Sequence, residues 1–339
     1  MNKNRVEFDT KYEELSNLSS IEHPHGGIIC TYAVCISKLD ISDIKTIKIY
    51  QTYYDDTRED WTKPIIIHKE KLKSAFSYTY FLDLKGKATL LYNKTGDIFQ
   101  KKSNDYGRTW EEPKRILKGN IGWMFKSKPL FVQFGRLIVP VYDKDTGRSF
   151  VLIFDQDQKI WYPSLSIELP ETIDDEYKGE EVLKTADYMV YQTRYPTLIH
   201  QSAVVVTMYM QTIGLNYIVK AESVNVGETW DEATFTTLKA SSKPIECVRI
   251  KNTEGIYQPT VLLLYVEELR EKTELKLAIS TDNGNKFERD ECLESFEVNN
   301  NLDFTMIQLS DETLHVLYTL KGKIIDLKLE KTFWKEEIN

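Results

Sequence analysis

Charged, phenolic and amide side chains occur near the ends of the short apolar segments that we predict to be inner strands of a repeated sheet. Near the strand starts they are Tyr78, Tyr80, Lys126, Lys128, Arg194, Tyr195, Glu246 and Asp303. Near the ends of the following strands they are Asn93, Tyr142, Asp143 and Tyr209. Residues two apart on a strand share a face, so Lys126 and Lys128 project together, as do Tyr78 and Tyr80. Such a set of cations, carboxylates and phenols is typical of a polar carbohydrate site with aromatic stacking surfaces.

Each candidate also has a structural interpretation. A tyrosine at a strand end can pack between neighbouring sheets with its hydroxyl hydrogen-bonded. The lysines can be solvated, and the other charged residues can form structural ion pairs. Arg194 is the strongest binding candidate, because it begins a predicted inner strand just before Pro196, where a charge has little structural reason to be.

The elements that position these residues are marked by a repeated octet. Ser103–Trp110 reads S-x-D-x-G-x-T-W, Ser223–Trp230 has Asn225 in place of the aspartate, and Ser280–Phe287 ends in phenylalanine. The Asp and Ser side chains can bond nearby backbone amides, and Gly can adopt the positive φ of a tight turn. Each octet therefore predicts a β-turn with a structural role.

Two markers count the repeats. The aromatic residue that closes the octet recurs at intervals of 47 to 69 residues, at Trp61, Trp110, Trp161, Trp230, Phe287 and Trp334. A tyrosine within or ending an apolar segment precedes each one, at Tyr32, Tyr92, Tyr142, Tyr209, Tyr265 and Tyr318. This period is typical of a four-stranded propeller blade. We predict an all-β, six-bladed β-propeller of four-stranded antiparallel blades, forming a single domain over residues 1–339.

Strand alternation gives each predicted blade two ends. With strands A to D in chain order, the starts of A, the ends of B and the D–A loops share one end, named here the A-strand end. The octets join C to D at the opposite end, named here the octet end. Arg5–Tyr12 alternates like a strand and could supply the outer strand of the last blade, closing the propeller.

The octet resembles the Asp-box of sialidase-like β-propellers, also called the BNR repeat. The segments KPLFVQFGRLIVPVYD and RSFVLIFDQDQKIWYPS resemble the BNR-repeat neuraminidase-like group in the same way. The resemblance implies a site at the funnel mouth, on the A-strand end. In sialidases it also implies a tyrosine nucleophile, an assisting Glu, an Asp acid/base and three arginines that clamp a carboxylate.

The chain departs from true sialidases in the arginine triad. Arg194 is at a predicted A-strand start, but Arg249 lies toward the far end of its strand, Arg136 in an A–B turn and Arg108 in an octet. The first-blade R-I-P motif is absent. Lysines could replace the missing charges but not the planar fork with which arginine binds a carboxylate.

The leading hypothesis is a sialidase-like, carbohydrate-active protein that cleaves a glycoside or acidic sugar, as a hydrolase or a lyase. The acid/base would be Glu246 or Asp303, the nucleophile or base Tyr78 or Tyr80, and the anion-binding cations Arg194 with Lys126 or Lys128. The alternatives are a non-catalytic propeller that binds a glycan or a protein, and a propeller recruited to small-metabolite chemistry.

Composition limits the partners. The 44 basic and 52 acidic residues give a net charge of −8 and no basic stripe, which argues against nucleic acid. A polybasic patch and an apolar run of 18 residues are both absent, so we expect no membrane association. The cysteines and histidines lack metal-ligand spacing, and we expect no metal and no other cofactor. The charged N-terminus predicts a cytoplasmic protein, or a secreted one if a leader was removed.

Overall fold

The computed structural model describes residues 4–10, 15–37, 44–55, 60–174, 191–241, 243–297 and 302–335. Its strands form six antiparallel sheets of consecutive strands, so the fold is an all-β six-bladed β-propeller with four-stranded blades. Two compact units contain three blades each, except that the β20–β21 turn of blade five, residues 251–257, belongs to the first unit. The first comprises 1–121, 251–257 and 300–339, and the second comprises 122–250 and 258–299. No helix in the described ranges is long and apolar enough to span a membrane.

The first unit holds blades six, one and two. Blade one has the order β2-β3-β4-β5 with β6 also on β4, blade two β7-β8-β9-β10, and blade six β24-β25-β26-β1. The strands are β1 (Asn4–Asp9), β2 (Ser16–Glu22), β3 (Ile28–Ser37), β4 (Lys45–Asp55), β5 (Asp60–Trp61), β6 (Ile65–Leu72), β7 (Tyr78–Leu82), β8 (Ala88–Lys94), β9 (Asp97–Ser103), β10 (Lys114–Lys118), β24 (Phe304–Gln308), β25 (Leu314–Leu320) and β26 (Lys323–Leu329). A 3₁₀ turn, Lys331–Phe333, follows β26.

The second unit holds blades three, four and five. Their orders are β11-β13-β14-β15 with β12 also on β13, β16-β17-β18-β19, and β20-β21-β22-β23. The strands are β11 (Trp123–Phe125), β12 (Leu130–Val132), β13 (Arg136–Asp143), β14 (Arg148–Asp155), β15 (Ile160–Pro163), β16 (Gln192–His200), β17 (Val206–Ile213), β18 (Tyr217–Ser223), β19 (Thr234–Lys239), β20 (Glu246–Lys251), β21 (Tyr257–Glu268), β22 (Lys272–Ser280) and β23 (Arg289–Glu297).

The predicted closure of the last blade is confirmed. Strand β1 pairs antiparallel with β26, with Arg5 opposite Leu327 and Asp9 opposite Lys323. The first strand of the chain is therefore the outer strand of blade six and covers an edge that would otherwise be unpaired. Lys11 and Tyr12, at the end of the predicted segment, lie outside the described residues.

The hydrophobic cores lie between neighbouring blades. In the first unit one core joins blades six and one, and another joins blades one and two. In the second unit the cores join blades three and four, and blades four and five. All six marker tyrosines are buried. Four of them belong to these cores: Tyr32, Tyr92, Tyr209 and Tyr265. Tyr318 lies on β25, next to Leu317 of the core between blades six and one.

The octets form the predicted turns. The Ser103 hydroxyl accepts the Gly107 amide at 2.8 Å, and the Asp105 carboxylate accepts the Thr109 amide at 2.8 Å. The second and third octets repeat both bonds. Gly107 has φ 98°, and a Cβ there would overlap the Gln51 side chain of the preceding blade. The glycine is therefore required both by the turn and by the close packing of the octet on its neighbour.

Candidate functional site

In the second unit, the first strands of three consecutive blades bring charged side chains together at the A-strand end. Lys128 lies between β11 and β12 of blade three, and Glu246 begins β20 of blade five. The Lys128 Nζ lies 2.7 Å from Glu246 Oε1. Glu246 is 6% exposed, whereas the Lys128 side chain is 26% exposed. A buried carboxylate needs a partner, and here that partner is a cation that solvent can still reach.

A β-bulge shapes the strand between them. In β16 the register shifts between Arg194 and Thr197, and Tyr195 has a φ of 52°. Positive φ is strained for a bulky residue, and bulges re-aim side chains next to functional sites. The Tyr195 ring lies edge-on to Tyr142, with centroids 5.1 Å apart. The Thr197 hydroxyl accepts the Cys247 amide at 3.1 Å, which fixes β16 beside β20.

One nitrogen of the Arg194 guanidinium is hydrogen-bonded and another is unsatisfied. Its Nη2 donates to Gln192 Oε1 at 2.8 Å. Its Nε is buried and has no hydrogen-bond partner among the described residues. An unsatisfied buried donor is costly, so a bound anion or hydroxyl would stabilise this guanidinium.

A second cation stands beside Arg194 and was missed by the sequence analysis. Partial desolvation lowers the pKa of Lys144, the Arg194 charge lowers it further, and Asp145 opposes the shift. Two neighbouring cations repel each other, and a bound anion would relieve that repulsion. The available signal was position, since Lys144 directly follows Asp143 at the end of a B strand.

Lys126 and Asp143 are the remaining charged candidates in the second unit. Lys126 is partly exposed just after β11. Asp143 is buried, its Oδ1 accepts the Asp145 amide at 2.9 Å, and its carbonyl accepts the Gly147 amide at 2.8 Å. The observed contacts of Asp143 therefore serve the B–C turn.

In the first unit the corresponding polar residues bind backbone. Asp303 accepts the Leu18 amide through Oδ2 at 3.1 Å and the Phe304 amide through Oδ1 at 2.8 Å. These bonds hold blade six against blade one. Asn93 Oδ1 accepts the Ser77 amide at 2.7 Å and ties the end of β8 to the start of blade two.

The two predicted catalytic tyrosines are both buried in the core between blades one and two. Burial raises the pKa of Tyr78 well above its usual range, although the neighbouring Thr31 hydroxyl opposes the shift. The Tyr80 hydroxyl donates to the backbone carbonyl of Tyr106, inside the first octet, at 3.2 Å. The structure therefore does not support Tyr80 as a catalytic residue, because its hydroxyl points to the octet end.

The predicted ligand-binding role of Tyr209 requires the same correction. Its hydroxyl donates at 2.8 Å to the carbonyl of Gly284, in the third octet. The side chain is fully buried. Tyr209 therefore packs between blades four and five, the structural alternative considered for this set of tyrosines.

The placement of Arg249 away from the A-strand end is confirmed. Its guanidinium donates to the carbonyls of Gln258, His200 and Gln201 at 2.7 to 2.8 Å, and to Asn283 Oδ1 at 2.7 Å. These bonds join the A–B turns of blades four and five to the third octet. Arg249 is thus fully used by the scaffold.

The charged groups in the second unit define what the site can do chemically. Glu246 can exchange a proton, while Arg194 and Lys144 can bind an anion. Among the residues that the structure describes, no three His, Cys, Asp or Glu side chains are grouped as metal ligands.

The chain belongs to the BNR repeat-like domain family, whose profile matches residues 42–316. A search of curated proteins finds no significant match.

Solved structures share the fold at low sequence identity. A protein of unknown function from Dyadobacter fermentans is 14% identical with a TM-score of 0.71, covering 97% of this chain and 99% of its own. The Hadza microbial sialidase Hz136 is 16% identical with a TM-score of 0.69, covering 96% and 67%. The α-L-arabinofuranosidase Arb93A from Fusarium graminearum is 12% identical with a TM-score of 0.58, covering 98% and 99%. The protein is therefore a sialidase-like BNR propeller, and these two glycosidases share its fold.

Proposed function

We propose that the protein is a carbohydrate-active enzyme that cleaves a glycoside of an acidic sugar at the A-strand end of its second unit. Glu246 is the general acid/base, and Arg194 with Lys144 binds the anionic group of the sugar. Lys126 and Lys128 add positive charge to the same end. The fold likeness to a sialidase and an arabinofuranosidase is compatible with this chemistry but does not assign a substrate.

The ion pair between Glu246 and Lys128 is the observation that carries the proposal. It gathers a carboxylate and a lysine from blades five and three, on either side of the bulged strand that holds Arg194. A carboxylate paired with a partly exposed lysine can give up that partner when substrate enters. The unsatisfied Arg194 Nε and the repulsion between Arg194 and Lys144 both favour an anionic substrate.

Proton transfer by Glu246 is compatible with two reactions. Protonation of the glycosidic oxygen would assist hydrolysis, and removal of a proton next to a carboxylate would begin β-elimination from a uronide. An acidic sugar would be the substrate of either reaction, since Arg194 and Lys144 would stabilise its carboxylate.

The test is a screen of 4-nitrophenyl glycosides of neutral, uronic and sialic sugars, together with unsaturated-product detection on oligouronides. For any substrate that is turned over, Glu246→Gln should lower kcat by about 10²- to 10⁴-fold, the usual contribution of general acid–base catalysis. The matched control is Glu274→Gln. Glu274 lies in the same blade, is buried to a similar extent at 8% exposure and pairs with Lys272, but stands on the third strand.

Equal activity of Glu246→Gln, Glu274→Gln and the wild type would refute the catalytic assignment. A non-catalytic glycan-binding propeller is the second candidate, and the burial of Tyr78 and Tyr80 favours it, because neither phenol is accessible as a nucleophile. That function would be indicated by binding of an acidic sugar without turnover, weakened by Arg194→Ala.

A further inference from the structure

A concave site lies in the first unit, at the octet end of blades one and two. It is a cavity of about 540 Å³, within the size range of small-molecule sites. It opens between the β2–β3 turn, the end of β4, the start of β6 and the first octet. Its lining includes His23, His25, Tyr53, Lys63, Tyr106 and Arg108.

Four aromatic rings form one wall of this cavity. The His23 ring centroid lies 4.5 Å from that of Tyr106 and 4.9 Å from that of Tyr53, and the His25 ring lies 5.4 Å from His23. The Tyr53 hydroxyl donates to the Gly26 carbonyl at 2.8 Å, and the His25 amide donates to His23 Nδ1 at 3.1 Å. Burial, His25 and Arg108 lower the pKa of His23. The wall is therefore fixed by hydrogen bonds and is uncharged at His23 near neutral pH.

Tyr106 occupies a backbone position that is unfavourable for it. Its φ is 56°, in the left-handed region that Asn tolerates and bulky residues rarely adopt. The same position is Val226 in the second octet and Asn283 in the third. Val226 is buried in packing and Asn283 Oδ1 accepts from Arg249, whereas Tyr106 presents a half-buried ring to a cavity. The positive φ belongs to the turn, since Val226 and Asn283 have φ values of 55° and 66°, so Tyr106 differs from them in the cavity that its side chain faces.

The rim of the cavity is mainly cationic. Lys63 and Arg108 are exposed and form no ion pair with any described residue. The opposing carboxylate of Asp105 is engaged within the octet by the Thr109 amide and hydroxyl and by the Ser103 hydroxyl. At the base, Gln51 Nε2 donates to the Tyr106 carbonyl at 2.7 Å, while its buried Oε1 has no partner among the described residues.

We propose that this cavity is a saccharide-binding site, separate from the site of the proposed function, that takes a pyranose bearing an anionic group. The sugar ring stacks on the wall of Tyr106, His23 and Tyr53, and its carboxylate or sulfate binds Arg108 and Lys63. Aromatic faces bind the apolar face of a pyranose, and arginine binds the oxygens of an oxyanion bidentately. An overall net charge of −8 disfavours non-specific anion binding, so anion selectivity must come from these local cations.

The experiment is a calorimetric titration with 3′-sialyllactose and trigalacturonic acid, using lactose as the neutral probe. All titrations use the Arg194→Ala protein, so that anion binding at the A-strand end is weakened. Tyr106→Asn removes the ring and introduces the residue that the third octet has at this position. Because Asn tolerates the positive φ, thermal unfolding should show an unchanged or higher Tm. Arg108→Ala removes the charge, and Arg115→Ala, an exposed arginine of the same blade paired with Asp97, is the matched control.

At least one acidic saccharide should bind, with lactose weaker by about tenfold or more. Tyr106→Asn and Arg108→Ala should each raise Kd about tenfold, the effect expected from losing a stacking surface or a charge-assisted hydrogen bond. Arg115→Ala should leave Kd unchanged. The proposal is overturned if neither acidic saccharide binds, if lactose binds equally well, or if both variants retain the Kd of the parent. These outcomes are independent of Glu246 activity, so this site and the proposed catalytic function can fail separately.

Discussion

The A-strand ends of the two units contain carboxylates of similar burial with different partners. In the first unit, both oxygens of Asp303 accept backbone amides, from Leu18 and Phe304. In the second unit, Glu246 pairs with the partly exposed amine of Lys128. The exposed fractions of Asp303 and Glu246, 9% and 6%, are nearly the same. The two residues differ in their hydrogen-bonding partners.

This difference separates a scaffold residue from a candidate catalytic one. A backbone amide is held in place by the strand that contains it and cannot leave when a ligand enters. A lysine side chain can move away or turn toward a ligand. The first unit therefore uses Asp303 to join blades, whereas the proposed function assigns Glu246 of the second unit to a substrate.

The largest expected effect is a pH dependence of stability that comes from the first unit. Burial lowers the pKa of His68 to about 4, and the Lys101 charge adds to the shift. The unfolded histidine titrates near 6.5, so between these values the unfolded chain binds a proton that the folded chain excludes. The contribution of neutral His68 is present above about pH 6.5 and is lost as the pH falls to 4, an effect of about 3 kcal/mol.

The variant His68→Phe isolates the pH-dependent part of the free energy of unfolding. The His68 ring packs against Phe76 and Tyr92, and an aromatic replacement conserves that packing. Urea unfolding at pH 7 and 4.5 should show that the wild type loses about 2 to 3 kcal/mol more than the variant. Equal losses would show that the polar groups of the first unit do not control its stability in this way.

The next effect compares the two carboxylates directly. Asp303→Asn converts one oxygen into a donor that faces a backbone amide, so we expect about 2 kcal/mol of destabilisation. Glu246→Gln removes a buried charge and keeps an acceptor for Lys128, so it should cost less, about 1 kcal/mol. Equilibrium unfolding of both variants checks the ranking, which a greater loss in Glu246→Gln would reverse.

The architecture was predictable from sequence because its signals are local and repeated. Each octet makes its own turn from residues within eight positions, as the bonds of Ser103 and Asp105 show. The marker tyrosines and closing aromatics give the blade count, and the alternating segment at Arg5 indicates the closing strand. These features need no knowledge of contacts between distant residues.

The site was predictable only in part. Strand order placed Glu246, Arg194 and Lys128 at the same end, but the pairing of Glu246 with Lys128 depends on side chains from different blades. Alternation puts Tyr78 and Tyr80 on one face without indicating that the face packs against blade one. The sequence does not distinguish Lys144 from a solvated lysine, because its partial burial and the neighbouring Arg194 charge depend on the fold.

The smallest effect is also the most direct test of the central claim, that the A-strand end of the second unit recognises an anionic sugar through Arg194. The measurement is kcat/KM for the 4-nitrophenyl glycoside of the preferred acidic sugar and for its neutral counterpart, in wild type, Arg194→Ala and the Arg115→Ala control. We predict that Arg194→Ala lowers kcat/KM about tenfold for the acidic substrate and leaves the neutral one nearly unchanged, as loss of one charge-assisted contact requires. Equal losses on both substrates, or none on either, would contradict the account.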